Sequence, residues 1–241
     1  MTPAALDTAL QATWPPARDW SVGPFTLRDG AGGGSRVSAA TADGAWDDAA
    51  LDAAIAAMRA DGRRPLFRVR AGETTLDAAL EARGFVAFDP TIGLAVPVDA
   101  LTQTPVPPVT AWAIWEPLGI MNDIWADAGI GPARRAIMDR VTGPKTALFG
   151  RVNDTAAATG FVALAGKTAM VHALEVIPAQ RRQGLARWMM IRAAHWAAAH
   201  GAETLALLVT QANKPARALY AQLQMQEVGG YHYRKAAEDT P

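Results

Sequence analysis

The stretch that most limits what this chain can become runs from Val171 to Met190. Val171-His172-Ala173-Leu174-Glu175-Val176-Ile177 is rich in β-branched and apolar residues and reads as a strand, and Pro178, with no amide hydrogen to give to a ladder, ends it. A polar turn then leads into Gly184, where a helix is expected to start. From Leu185 the large apolar residues Trp188, Met189 and Trp196 fall at helical spacing, and Gly201 is placed to stop the helix as a left-handed cap. A turn feeding a helix leaves several amides aimed at one spot, where the helix dipole also favours negative charge. Gly184 has no Cβ to block a phosphate, and between Val176 and Ala202 lie four arginines (Arg181, Arg182, Arg187, Arg192) and no acid. These residues point to a polyphosphate site.

Arg181-Arg182-Gln183-Gly184-Leu185-Ala186, preceded by Leu174, Val176 and Pro178, resembles the coenzyme A pyrophosphate loop of the GNAT acetyltransferase superfamily, whose pattern is Gln/Arg-x-x-Gly-x-Gly/Ala. A strand, Glu203 to Val209, follows. Then comes Asn213-Lys214-Pro215-Ala216-Arg217-Ala218-Leu219-Tyr220, similar to the family's next motif, Asn-x-x-Ala-x-x-Leu-Tyr. Two motifs in order, separated by one strand, carry a resemblance that extends over residues 108–235. It implies an α/β fold with a mixed, mostly antiparallel central sheet flanked by helices. It also implies an acetyl-CoA-dependent N-acetyltransferase, in which a primary amine of a small molecule or peptide attacks the thioester directly.

The resemblance assigns roles residue by residue. The amides of Arg182, Gln183, Gly184, Leu185 and Ala186 would hold the pyrophosphate, with the side chains of Arg181 and Arg182 adding charge. Arg187 and Arg192 fit a solvated helix face equally well. Leu174 and Val176 would act through backbone groups, on a strand that splays from its neighbour and pairs with the pantetheine amides. Asn213 suits a helix N-cap, and the family adds a contact to the pantetheine arm. Tyr220, a phenol protonated at neutral pH, would protonate the departing thiolate. The base is less defined. Strand alternation puts Glu175 on the face opposite His172 and Leu174, so one of Glu175 and His172 would face the amine, not both. Glu175 is the favoured base, with water-relayed deprotonation as the alternative.

Composition removes other chemistries. The 241 residues contain no cysteine, which excludes disulfides, thiolate catalysis and cysteine zinc sites. His195 and His200, five apart on a helix, do not stack as metal ligands, so no metal is expected. Lys plus Arg and Asp plus Glu number 23 each, which argues against a nucleic-acid partner. Met1 to Asp7 lacks a basic flank and an apolar run, and no stretch approaches the roughly 20 apolar residues of a membrane span. The expectation is a cytoplasmic monomer or homodimer whose partners are acetyl-CoA and an amine.

Taken in order, the N-terminal part predicts a helix over 4–12, strands over 25–28 and 36–40 joined by a turn at Gly30-Ala31-Gly32-Gly33-Gly34, and a helix from Asp47 to Gly62. Next come a strand over 65–70, a helix over 76–83, and strands over 85–88 and 92–96 with a turn at Asp89-Pro90. An internal echo links the halves at an offset near 140: Gly44 matches Gly184, Leu66 to Val69 matches Ala206 to Val209, and Leu76 to Phe85 matches Ala216 to Met225. The first copy has Asp43 and no arginine at the loop position, and Leu80 opposite Tyr220, so it should not hold coenzyme A. The prolines between Leu101 and Pro108 mark a linker. The expected domains are a degenerate partial GNAT-like unit, 1–100, a linker, 101–107, and an acetyl-CoA-binding GNAT domain, 108–241. That last domain should consist of a strand over 109–114, helices over 118–128 and 132–141, and a meander over 146–152, 159–165 and 168–177. The organising helix, the 203–209 strand, the Asn213 helix and one strand over 228–234 would complete it. One strand is one too few, so 92–96 is expected to join the second sheet. Tyr231-His232-Tyr233 fits either the lining of the acceptor pocket or an amphipathic edge strand. Two rival readings keep the same loop: a coenzyme A-binding regulatory protein without turnover, and an enzyme that uses a longer acyl-CoA.

Overall fold

Side-chain caps open three of the helices, at Thr2, Asp47 and Asn213, in the computed structural model, which describes residues 1–237. In chain order the elements are α1 (Pro3–Thr13), β1 (Arg18–Val22), β2 (Phe25–Asp29), α2 (Ser35–Ser38), β3 (Thr41–Ala42), α3 (Asp48–Ala60), β4 (Leu66–Arg70), α4 (Thr74–Ala82) and β5 (Val86–Pro97). They continue as α5 (Val98–Thr102), β6 (Ala111–Ile114), α6 (Gly119–Asp127), α7 (Pro132–Arg140), β7 (Lys145–Val152), β8 (Thr155–Ala165) and β9 (Thr168–Val176). The last are α8 (Leu185–Ala199), β10 (Thr204–Thr210), α9 (Lys214–Gln222) and β11 (Gln226–Lys235). The order α3-β4-α4-β5 recurs as α8-β10-α9-β11, and the first residues of α4 and α9, like those of β5 and β11, stand 140 positions apart. The echo read in the sequence is an echo of elements.

The chain forms two compact units that interleave along it. The first comprises Met1–Pro15, Gly93–Val209 and Asn213–Val228; the second comprises Pro16–Ile92, Thr210–Ala212 and the chain from Gly229 on. Compactness therefore follows strand partnership rather than the order of the halves. The first unit takes the end of β5 from the N-terminal half, and the second takes most of β11 from the C-terminal half.

In the first unit the strand order is β5-β10-β9-β8-β7-β6. The pairs from β6 to β9 are antiparallel and β9-β10 is parallel, which requires a crossover, supplied by α8. The sheet is thus mixed and mostly antiparallel, flanked by helices. Residues 93–97 supply the strand beside β10 that the C-terminal half lacks. Helix α8 lies close on the sheet because β7 carries Gly150, where an added Cβ would sit 2.7 Å from Met189 Sδ. The opposite face packs on α1 and α6: Trp14 lies 6.1 Å from the Phe161 ring, and Trp125 on α6 is fully buried. The proline-rich stretch begins inside a helix, since α5 reaches Thr102, and Lys145 Nζ closes the end of α7 by donating to the carbonyls of Met138, Asp139 and Val141.

The second unit holds a three-stranded sheet, β1-β2-β3, and the order β4-β11-β5, with β4 and β11 antiparallel. Phe25, Leu27, Leu51, Met58, Phe67, Leu76 and Leu80 form its core. Two expectations are corrected here. Residues 36–40 are not a strand: the glycine run folds tightly onto α2, with Ser38 Oγ donating to the Gly34 carbonyl, and a Cβ on Gly30 would lie 2.5 Å from Val37 Cγ2 and Ser38 Oγ. Nor do 85–88 and 92–96 form a hairpin. Asp89 takes a left-handed φ of 47°, which Asp tolerates, and the chain kinks there and runs on as the single strand β5. Tyr231 and Tyr233 hydrogen-bond each other at 3.2 Å beside Arg68, and His232 Nε2 lies 2.7 Å from Asp77.

Ala40 makes a parallel bridge to Phe67, after which β3 leaves β4. Arg70 fills that opening: Nη1 donates to the Ala42 carbonyl at 2.7 Å, and Nη2 to Asp43 Oδ1 at 2.9 Å. Burial opposes the charge on Asp43, but hydrogen bonds from Thr26, Arg70 and Thr41 outweigh it and hold the carboxyl below its usual value.

Asp77 ties α4 to β11, accepting from Arg234 Nε at 2.7 Å, and Arg234 also donates to the Phe85 carbonyl. The Arg234 hydrogen bond, opposed by burial and helped by His232, holds the Asp77 carboxyl below its usual value. A lowered folded pKa gives stability that is present above the unfolded value, about 3.9, and is lost as pH falls through the folded one. Asp77→Ala, which leaves the buried Arg234 without its main partner, should lower stability by about 1–3 kcal/mol at pH 7. Chemical denaturation at pH 7 and at pH 3 checks this, and the gap between the two proteins should narrow at the lower pH.

Candidate active site

The site is built on β9 and on two places where its hydrogen bonding is interrupted. The first is a bulge. β8 and β9 pair from Ala165↔Thr168 to Phe161↔His172 and resume at Thr159↔Glu175, so Ala173 and Leu174 together face Gly160. Ala173 takes φ 50°, and its carbonyl accepts from Trp125 Nε1 at 2.8 Å. Glycine suits the position opposite, because a Cβ on Gly160 would lie a tight 3.2 Å from Leu174 Cδ1.

The bulge shifts the alternation by one residue. Thr159 and Phe161 share a face of β8, so their partners Glu175 and His172 share a face of β9. Simple alternation, which put them on opposite faces, is corrected. Surroundings separate the two instead. His172 is 3% exposed, 3.0 Å from Thr13 Oγ1, and stacked on Trp14 at 4.7 Å. It belongs to the core. Glu175 is half-buried, and burial raises its carboxyl above the usual range, while the charges of Arg181 and Arg134 pull it down.

The second interruption separates β9 from β10. Their parallel pairing runs only from Thr168↔Thr204 to Val171↔Leu207, although β9 continues to Val176 and β10 to Thr210. Beyond Val171 the two strands share no rung among the described residues. Leu174 and Val176 lie on this open stretch. The Val176 carbonyl accepts from Arg181 Nε at 2.9 Å, which turns that guanidinium back along its own strand.

After β9, Pro178–Gln180 make one 3-10 turn, and then Arg182 (φ 65°) and Gly184 (φ 79°) both take left-handed conformations before α8. The amides of Arg182, Gln183, Gly184, Leu185 and Ala186 have no backbone partner among the described residues, the alternating geometry of an anion-binding nest. A Cβ on Gly184 would meet nothing within 4 Å, so the space in front of it is open. Asn153, in the β7-β8 turn, braces the loop by donating to Gln180 Oε1 at 3.1 Å and Gln183 Oε1 at 2.7 Å. Arg182 is exposed beside the loop. Arg187 and Arg192 are employed elsewhere, Arg187 over the Trp188 ring at 4.9 Å and Arg192 donating to the Ala111 carbonyl at 2.9 Å. Beside the loop lies a cavity of about 400 Å³ whose walls include Val109, Arg151, Asn153, Gln183, Leu185 and Trp188.

Asn213 caps α9, its side chain accepting from the Ala216 amide at 3.2 Å. Tyr220 is the one buried residue of that helix, at 7% exposure. Its phenol is pushed up to about 12, first by burial and then by the negative charge of Glu175. Glu175 on β9 and Tyr220 on α9, 45 residues apart in the chain, are thereby in electrostatic reach of each other. Three contributors escaped the sequence reading: Trp125, which fixes the bulge; Arg134, which acts on Glu175; and Asn153, which braces the loop. Only Trp125 left a signal, as part of the apolar spacing Met121, Ile124, Trp125. Among the described residues no cluster of three His, Cys, Asp or Glu could hold a metal, and no helix is long and apolar enough to cross a membrane.

Residues 124–224 match the acetyltransferase (GNAT) family. Among solved structures the chain is similar to a GCN5-related N-acetyltransferase from Kribbella flavida, with a TM-score of 0.75 at 22% identity over 98% of this chain and 96% of that one. It is also similar to a tandem GNAT protein from the clavulanic acid biosynthesis pathway (TM-score 0.64, 15% identity, 90% and 78% covered). A functionally unknown conserved protein from Staphylococcus epidermidis has the same TM-score at 12% identity, with 85% and 86% covered. These likenesses are likenesses of fold, and no curated protein matches the chain. The matched segment contains the interrupted strand, the left-handed loop and the Asn213 helix, so it is residues 124–224 that match the GNAT acetyltransferases, a family that moves an acyl group from an acyl-CoA, while the chain as a whole shares their fold.

Proposed function

We propose that this protein is an acetyl-CoA-dependent N-acetyltransferase that acts on a primary amine of a small molecule or peptide. The observation that carries the reading is the early end of β9-β10 pairing at Val171↔Leu207, which leaves strand edges for a pantetheine arm to complete. The pyrophosphate would rest on the amides of Arg182 to Ala186, with Arg182 and Arg181 adding charge, and the nucleoside end would extend to the cavity walled by Trp188 and Arg151. Residues 108–241 carry these groups. Residues 1–100 are read as the degenerate copy, joined by 101–107, since Arg70 occupies the equivalent opening there.

Direct attack needs one group to take a proton from the amine and another to give one to sulfur. Glu175, raised by burial, suits the first task, and Tyr220, a phenol up to about pH 12, suits the second. In balance, the amine nitrogen bonds the acyl carbon as the C–S bond breaks, Glu175 gains the ammonium proton, and Tyr220 supplies the thiol proton. Thiol release from acetyl-CoA with a panel of primary amines tests the reading, and binding without turnover against every amine would sink it.

Gly184→Trp should abolish acetyl-CoA binding in isothermal titration, because the side chain would fill the space before the loop. Tyr220→Phe should leave binding intact and slow turnover roughly 10- to 1000-fold. A base works only when deprotonated, so kcat/KM should climb with pH through the raised Glu175 value. In Glu175→Gln that limb should vanish, along with roughly 10²–10⁴-fold of the rate, as a pH series of initial rates would reveal.

A further inference from the structure

Thr159 is the one polar residue between Ala156 and Ala165, and it is wholly buried. A β-branched residue suits a strand, but valine would suit this apolar run as well and would not bury a hydroxyl. Among the described residues, Thr159 Oγ1 has no hydrogen-bond partner. Buried hydroxyls are almost always paired, with protein or with water. The register places Glu175 directly across from Thr159, on the same face, one residue beyond the bulge. Opposite residues in antiparallel strands have Cβ atoms about 4.5–5.5 Å apart, within reach of a single bridging water.

We propose that Thr159 is a positioning residue: its hydroxyl donates, through one bound water, to the Glu175 carboxylate and holds it where it can receive a proton. Other groups act on the same carboxylate, namely Arg181 after β9, Arg134 on α7 and Tyr220 on α9. His172, on the same face, is engaged with Thr13 and Trp14. Unlike Arg181 and Arg134, Thr159 carries no charge, so it can be altered without changing the local charge. The bulge is what makes the arrangement possible, since simple alternation would turn Glu175 to the other face. The catalytic part of the proposal rests on the reading of Glu175 as the base; the link between Thr159 and Glu175 does not.

The test replaces Thr159 with valine, which keeps the shape, and with serine, which keeps the hydroxyl. The Glu175 titration is followed by the carboxyl carbon resonance in NMR, assigned by its loss in Glu175→Gln. A donor to a carboxylate favours the charged form, so Thr159→Val should raise the Glu175 midpoint by about half to one pH unit, and Thr159→Ser should restore it. The acidic limb of kcat/KM should move by the same amount. An unmoved midpoint in Thr159→Val, with a higher melting temperature from removal of an isolated hydroxyl, would overturn the proposal. A moved midpoint with unchanged turnover in Glu175→Gln would keep the link and remove Glu175 as the base, so the two failures are distinct.

Discussion

Backbone amides and carbonyls have to be paired, and the candidate site exists because β9 is excused from that obligation twice. At the bulge the Ala173 carbonyl is taken by Trp125 instead of by β8. Past Val171 the strand has no rung to β10 among the described residues. An unpaired edge inside a sheet is costly unless water or a ligand completes it, which is why the proposed pantetheine arm, with amides of its own, is assigned to this opening. The loop that follows repeats the principle. Its amides converge on open space, held there by two left-handed residues and by Asn153.

The second unit meets the same obligation differently. Its strand also parts from a parallel neighbour after a single bridge, Ala40 to Phe67. There the chain supplies its own donor, with Arg70 reaching the Ala42 carbonyl and the Asp43 carboxylate. An acid at the loop position would repel a phosphate, and here it has a local cation to answer it. The two halves thus share a plan of elements and differ in whether the opening is filled from within.

Much of this was legible in the sequence. Gly184 and the arginines around it mark the loop, and the Asn213 to Tyr220 spacing marks the next helix. The offset near 140 marks the repeated elements. What escaped were features fixed by long-range packing. A bulge leaves no trace in an alternating pattern, and alternation alone puts Glu175 and His172 on opposite faces. A left-handed Asp89 let β5 continue where Asp-Pro argued for a turn. The glycine run before Ser35 folds onto a short helix because Val37 and Ser38 pack against Gly30, a contact that spacing alone does not reveal.

The electrostatics of the site follow from the same geometry. Burial raises both Glu175 and Tyr220, but the consequences differ because their ordinary values differ. For the phenol, upward pressure from burial and from Glu175 keeps the proton in place at any working pH. For the carboxylate, upward pressure brings proton affinity toward the neutral range, where it can exchange with an amine, while Arg181 and Arg134 keep the shift from going too far. A proton on Glu175 would cancel its charge and so ease the pressure on Tyr220. Under the proposed direct attack the two groups would be coupled in the order the reaction needs, with the phenol giving its proton more readily once the carboxylate has accepted one.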